Sequence, residues 1–415
     1  MSLINKIVNA VVRGEFSQAM RFDEGGVPHV PPAAVAKPRL LYMHIPFCER
    51  LCPYCSFNRV VFERPIGKAY FAALKQELLL YKAKGYDFSG VYVGGGTPTV
   101  MVDELADLLA KAKETFAIRE ISVETNPNHL TDENLAILKS AGVNRLSVGV
   151  QSFNDDLLRK MDRYDKYGSG EAIAERLSAI GGRFDTINAD MIFNFPTQTL
   201  ETLDADLNVL DRIGVDQITY YPLMISDSTR RTVERTLGRV NYGDEEQFYH
   251  RIVKRLLPSY RHSSAWCFSR KANMIDEYIV DYDEYAGLGS GSIGFLSGAC
   301  YANTFHIPEY IRQVTEGQMP LMAAKTFSTK EMMRYDFLMK LFGTRLDLTD
   351  LKKKYGVSPW PYLWLDILAF SLTGRVSYRA PSLQLTEKGC YAWVIMMREF
   401  FIAVNNFRDF CRQKG

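Results

Sequence analysis

Three of the seven cysteines fall within eight residues, in the segment His44-Ile45-Pro46-Phe47-Cys48-Glu49-Arg50-Leu51-Cys52-Pro53-Tyr54-Cys55-Ser56-Phe57. Thiolates at Cys48, Cys52 and Cys55, spaced C-x3-C-x2-C, can hold three irons of a cubane cluster. The fourth iron then keeps an open position for a substrate or cosubstrate. Zinc is the competing metal, but a closed zinc site wants a fourth Cys or His nearby, and His44 lies along a strand instead. A cluster without metal is the third reading. In a reducing compartment such a tight group signals metal or redox chemistry rather than a crosslink. Cys267, Cys300, Cys390 and Cys411 are scattered and read as small buried hydrophobes. A second feature is Gly94-Gly95-Gly96-Thr97-Pro98, where missing side chains either serve a tight turn or let a ligand approach the backbone. Glu124 and Asp190 stand at strand ends, where a carboxylate is solvated, salt-bridged or turned to a ligand. Arg163 carries a guanidinium able to pair bidentately with a carboxylate.

Alternating strands and helices must position these groups. Strands are predicted at 40–45, 91–93, 121–125, 145–150, 187–193 and 217–222. Helices at 70–81, 131–141 and 199–213 separate them, stopped by Gly85, Gly142 and Gly214. Repeated βα units with apolar strands imply a parallel sheet with helices outside, and the cysteine loop then follows the first strand at its carboxyl end. About six units fit, which suggests a partial barrel, (β/α)6, rather than the eight of a closed one. The expected organisation is an N-terminal extension and linker (1–37), the partial barrel (38–225), a flanking accessory region (226–325) and a smaller, mostly helical C-terminal domain (326–415). The extension carries Ile4, Ile7, Val8, Val11 and Val12 at helical spacing, a helix packed on the main domain or lying on a membrane surface. A glycine-rich loop is expected at 287–291, a small hairpin at 375–385 and an apolar last helix at 391–410. Trp360-Pro361-Tyr362-Leu363-Trp364 reads as core by default.

The bulk properties set limits. A net charge of +2 offers no electrostatic footprint for nucleic acid, and 47% apolar with 24% charged residues is ordinary for a globular enzyme. No apolar run approaches the roughly 20 residues needed to span a bilayer. Residues 1–20 lack an apolar core followed by a cleavage site, so no signal peptide and a cytoplasmic location are expected.

The cysteine motif, with an aromatic before its last Cys, resembles the radical S-adenosylmethionine (SAM) signature. With the preceding Tyr42-Met43-His44-Ile45-Pro46-Phe47 it is similar to the oxygen-independent coproporphyrinogen III dehydrogenase family. The likeness runs from about residue 40 to 310, with weaker agreement near Leu385-Thr386-Glu387-Lys388-Gly389. It implies a radical SAM barrel and a [4Fe–4S] cluster on Cys48, Cys52 and Cys55. It further implies SAM held by Tyr42, Gly94, Gly95, Gly96, Thr97, Glu124, Gln151, Arg163 and Asp190, with a second SAM beside the first. An electron from the cluster splits SAM into methionine and a 5′-deoxyadenosyl radical; the electron would come from a low-potential donor such as flavodoxin or ferredoxin. No catalytic residue beyond these contacts is assigned. Asn194 stands where the family usually has glycine, and asparagine tolerates a left-handed backbone better than most residues.

Departures from the family narrow the expectation. The dehydrogenases carry a further cysteine where Phe57 stands. The haem chaperones carry a His-Asn-x-x-Tyr-Trp stretch where this chain has Ile275-Asp276-Glu277-Tyr278-Ile279-Val280. His262 and Cys267 lie near enough in sequence to be considered as haem ligands. The stretch Ala265-Trp266-Cys267-Phe268-Ser269-Arg270 looks like the quinone-methylating, class C branch. The leading expectation is therefore a two-SAM C-methyltransferase acting on an sp2 carbon of a polyprenyl naphthoquinone such as menaquinone, with peripheral membrane contact. A tetrapyrrole radical SAM enzyme and a haem-binding chaperone are the alternatives. Basic residues lining the cavity would favour a tetrapyrrole, because propionates need cations; an apolar groove would favour an isoprenoid tail.

Overall fold

The computed structural model describes residues 28–33, 37–271 and 278–414. The expected N-terminal helix around Ile4–Val12 lies outside them, as do Gly25, Gly26, Val27 and the stretch Ile275-Asp276-Glu277.

Six strands, β1 (Leu40–Ile45), β2 (Gly90–Gly95), β3 (Glu120–Thr125), β4 (Arg145–Gln151), β5 (Thr186–Phe193) and β6 (Gln217–Pro222), pair in parallel in chain order. Their apolar residues are buried on both faces, among them Leu41, Met43, Val93, Val123, Leu146, Val148 and Ile218, as parallel strands sandwiched by helices require. The crossovers run through α1 (Arg64–Ala83), α2 (Val102–Thr115), α3 (Asp132–Ser140), three short helices between 155 and 179, and the helix Leu200–Ile213. That last helix starts on a capping box at Thr199 and Thr202, buries Leu203, Leu207 and Leu210, and ends on Gly214 in the left-handed region (φ 63°, ψ 42°). Helix α1 begins six residues before its predicted start, with Pro65 in its first turn, where the missing N–H costs nothing.

The sheet does not stop at β6. Tyr285–Leu288 pairs in parallel with the free edge of β1, and Ile293–Leu296, Ala299–Asn303 and Leu321–Thr326 continue from it antiparallel. At the other edge Cys267–Ser269 runs antiparallel to β6, followed by Arg261–His262. Among the described residues the sheet has twelve strands. The glycine-rich loop joins this extension to α1: Glu77, buried and pushed up to about 7 by desolvation, accepts from the Gly289 amide (2.9 Å), Asn303 Nδ2 (2.9 Å) and Tyr310 Oη (2.6 Å).

Beyond residue 328 the chain is mainly helical, with a three-stranded sheet of Arg345–Asp347, Val376–Arg379 and Ser382–Leu385. The closing helix, Glu387–Lys414, packs back on the barrel side through a buried ion pair. Arg398 donates to both oxygens of Glu245 and to Glu399 (3.1 Å), and all three side chains are excluded from solvent. Breaking a buried pair strands a charge, so Arg398→Met is expected to lower unfolding free energy by about 3–5 kcal/mol. Urea denaturation of the apoprotein measures it; a loss under 1 kcal/mol would show that the helix is held by its apolar contacts alone.

Candidate active site

The cysteine loop leaves β1 and is pinched at its base, where Phe47–Cys48 pairs with Val60–Val61. Arg59 ties the loop from inside: its Nη2 donates to the carbonyls of Cys52 (2.6 Å) and Cys55 (2.7 Å). Arg163 Nη1 reaches Cys52 Sγ (3.8 Å) and Tyr54 Oη (3.3 Å), its Nη2 donates to the Gly149 carbonyl, and the guanidinium lies over the Tyr167 ring. Thr97 Oγ1 donates to Cys48 Sγ (3.7 Å). Burial pushes the Cys48 thiol up to about 11, so it ionises there only when a metal takes it.

His44 is no ligand. Its Nε2 lies 2.7 Å from the Asn58 carbonyl, which can only accept, so Nε2 carries the proton. Nδ1 is then the acceptor for Tyr42 Oη at 3.0 Å, and burial lowers the ring to about 4, keeping it neutral. Its function is to orient Tyr42. Among the described residues no three His, Cys, Asp or Glu side chains converge tightly enough for a single metal ion. A cubane, whose irons occupy separate corners, asks only that three thiolates face one space, and they do. Arg59 Nε and Nη1 and Arg163 Nε are buried there without hydrogen-bond partners, cationic donors suited to an anionic cluster and a ligand carboxylate.

Eleven of the twelve expected residues line a single cavity of about 290 Å3: the three cysteines, Tyr42, Gly95, Gly96, Thr97, Glu124, Gln151, Arg163 and Asp190. Gly94 lies behind the wall. A Cβ there would stand 2.8 Å from Glu124 Oε1, so this glycine makes room for the carboxylate rather than for a ligand. Glu124 accepts from Tyr92 Oη (2.8 Å) and the Gly95 amide (3.1 Å); burial, with Asp190 nearby, raises it to about 7. Asp190 accepts from Ser147 Oγ (2.7 Å) and Asn188 Nδ2 (2.8 Å), and is also raised by burial. Two buried carboxyls on one wall favour a cationic ligand, which matches the ammonium and sulfonium of SAM. Gly94→Ala is expected to weaken SAM binding about tenfold by displacing Glu124, with iron content unchanged; equilibrium dialysis of the reconstituted protein checks both.

Three supports escaped the sequence reading. Asp206 accepts from Ser152 Oγ (2.8 Å) and the Phe153 amide (2.7 Å), fixing the chain just after Gln151, which sits at φ 74° beside a register shift in β4. The signal was there: an aspartate inside the apolar stripe Leu203, Leu207, Leu210. Arg145, buried under Asp190, donates to Gln217 (2.8 Å) and Ser122 (3.0 Å). Phe401, Asn405 and Arg408 of the closing helix line the cavity from the far end of the chain.

The stretch 265–270 has a structural role. Ala265, Trp266, Cys267, Phe268 and Ser269 are fully buried; Cys267 lies in the strand between β6 and the edge strand Arg261–His262, where Thr219 Oγ1 donates to its Sγ (3.5 Å), and Trp266 packs on Phe342 and Tyr221. Neither Cys267 nor His262 lines the cavity, and the cavity lining includes no histidine.

A parallel (β/α) sheet with this cysteine loop at its carboxyl edge defines a radical SAM protein, and the model of the Radical SAM superfamily matches residues 42–210. The heme chaperone HemW of Bacillus subtilis is 31% identical over 331 residues, 76% of this chain and 87% of that one. The oxygen-independent coproporphyrinogen III oxidase of Escherichia coli is 27% identical over 391 residues, 85% and 83% of the two chains. The solved structure of coproporphyrinogen III oxidase (HemN) from Escherichia coli superposes with a TM-score of 0.72 over 93% of both chains, at 24% identity. The chain belongs to this HemW and coproporphyrinogen III oxidase family of the radical SAM superfamily, and its cofactors are a [4Fe–4S] cluster and SAM. These relatives overturn the expectation of a quinone methyltransferase. The stretch 265–270 that suggested that branch is sheet and core: none of its residues lines the cavity, and Trp266 stands behind the lining residues Tyr221 and Phe401. No helix among the described residues is long and apolar enough to cross a membrane.

Proposed function

We propose that this chain is a radical SAM enzyme acting on a carboxylate-bearing tetrapyrrole. The observation that carries the proposal is that, beyond Arg59 and Arg163, which serve the cluster loop and the SAM carboxylate, two further arginines, Arg50 and Arg408, line the same cavity as Glu124 and Asp190. The cavity thus offers acids for the SAM cation and further cations for the propionates of a tetrapyrrole.

Arg59 fixes the loop that presents Cys48, Cys52 and Cys55. Gly95, Gly96 and Thr97 form the backbone edge against which SAM lies. Glu124 and Asp190 face its positive groups, Arg163 its carboxylate, and Tyr42 and Gln151 complete the contact. Cys48, Cys52 and Cys55 would hold a cluster that, with electrons from a low-potential donor such as flavodoxin or ferredoxin, would supply the reductive cleavage of SAM. The protein keeps water away from that chemistry with Tyr92, Ile192, Tyr221, Leu223, Met224 and Phe401, which also line the cavity. Phe57 in place of the dehydrogenases' further cysteine sets this chain apart from them, so the proposal names a substrate class rather than coproporphyrinogen alone.

The identity to HemW supports a second reading, haem binding without turnover. One experiment separates the two. The reconstituted protein is reduced anaerobically with SAM, and 5′-deoxyadenosine is measured with coproporphyrinogen III, with haem, or with neither. Tetrapyrrole-dependent 5′-deoxyadenosine supports the enzyme. Haem binding by absorbance with no stimulation supports the chaperone; no response to either tetrapyrrole overturns both.

A further inference from the structure

The helix Trp360–Leu372 buries only Leu363 and Ile367. Trp364 (50% exposed), Leu365 (60%), Leu368 and Leu372 (79%) form a stripe open to solvent, with Trp360 at its start. Val357 just before the helix and Tyr378 just after it are exposed as well. These seven make up half of the fourteen large apolar side chains exposed among the described residues. A patch this concentrated marks a contact surface rather than scattered surface apolarity. The sequence reading placed the Trp360–Trp364 run in the core; the structure turns most of it outward.

The setting says what covers it. The helix's one acidic residue, Asp366, is paired with Arg334 (3.2 Å), so no unpaired acid interrupts the stripe. Exposed cations flank it: Lys352 and Lys353 at the end of the preceding helix, Arg379 in the following strand, and Lys388. From 345 to 388 five Lys or Arg are exposed (Arg345, Lys352, Lys353, Arg379 and Lys388) against two exposed acids (Asp350, paired with Lys353, and Glu387), while Arg375 is buried and Lys354 is paired with Asp336. At 13 residues the helix is about 20 Å long, too short to span a bilayer but long enough to lie along one. Leucines on the open face, tryptophans at one end and a basic rim are the requirements of an in-plane interfacial helix on an anionic membrane. We propose that this face docks the protein on an anionic lipid surface. The proposal is independent of the tetrapyrrole reading, because none of these residues lines the cavity.

Flotation of the reconstituted full chain with vesicles of phosphatidylcholine, alone or mixed with phosphatidylglycerol, tests it. Binding is expected only to the mixed vesicles, and should decline with salt. It should also shift tryptophan emission to the blue, a change that reports on Trp360 and Trp364 because Trp266 and Trp393 are already buried. Lys352→Gln with Lys353→Gln should weaken binding about thirtyfold. Leu368→Glu with Leu372→Glu should abolish it while 5′-deoxyadenosine formation stays unchanged. Absence of flotation, or flotation insensitive to the leucine substitutions, overturns the proposal. So does a dimer in sedimentation that those substitutions convert to monomer, which would assign the face to a second copy of the chain.

Discussion

Cys52→Ala is expected to reduce SAM cleavage to background and to strip the reconstituted protein of its cluster, with little change in melting temperature. Cys52 is half-buried on a loop outside the barrel core, and its sulfur touches only Arg163 among the hydrogen-bonding groups. Truncation therefore removes a ligand without opening a cavity in packed structure, unlike a large-to-small change in the core. Cys300→Ala is the contrasting control. Cys300 is buried in the antiparallel extension of the sheet, where desolvation pushes its thiol up to about 12. It should keep full iron and full 5′-deoxyadenosine yield and lose only a modest amount of stability. Iron and sulfide analysis, visible absorption and product chromatography read all of this. A Cys52→Ala protein that retained the cluster, or a Cys300→Ala protein that lost it, would show that the motif has been misassigned.

The sequence was legible where short-range chemistry decides the structure. Strands β1 to β6 and the helices α1, α3 and Leu200–Ile213 declare themselves by periodicity and by stop signals, whereas α2 and the short helices between 155 and 179 were not expected. Asn194, expected to take up the left-handed conformation in place of a glycine, does so at φ 67°. The sheet's extension was illegible for the opposite reason. Tyr285–Leu288 is four residues long and runs into glycines, and only its pairing with β1, some 240 residues away in the chain, makes it a strand. The site divides in the same way. Residues at the ends of β1 to β5 could be placed because a parallel sheet gathers its strand ends at one edge. Arg145 and Asp206 act on other side chains from below, and Arg408 arrives from the closing helix, so no local pattern announces them. The stretch 265–270 carries no substrate signal, because its sequence serves sheet pairing and the packing of Trp266.

Arg408→Ala is expected to raise the KM for a carboxylate-bearing tetrapyrrole roughly 10- to 150-fold, the cost of one charge-assisted hydrogen bond of about 1.5–3 kcal/mol. Arg408 is positioned for that contact. Its Nη1 donates to Asn405 Oδ1 at 2.9 Å, one turn earlier on the same helix, and its guanidinium lies over the Phe57 ring at the end of the cysteine loop. Phe57 is exposed whereas Arg408 is buried, so the guanidinium lies inside the cavity beneath this corner. Arg412 reinforces the same corner, its Nη2 reaching the carbonyls of Ser56 and Phe57 at 3.4 Å. Arg408 is assigned to a substrate carboxylate because it lines the cavity, while the SAM carboxylate is given to Arg163. Hence kcat at saturating substrate, iron content and the affinity for SAM should all hold while KM rises. Arg408→Lys keeps the charge but loses the planar fork, and should fall between the two. A substrate with esterified carboxylates separates recognition from packing: it should bind the wild type and the Arg408→Ala protein equally. If the ester discriminated between them as strongly as the free acid does, Arg408 would be a support for the Phe57 corner and the carboxylates would have to be held elsewhere, with Arg50 the next candidate on the same rim.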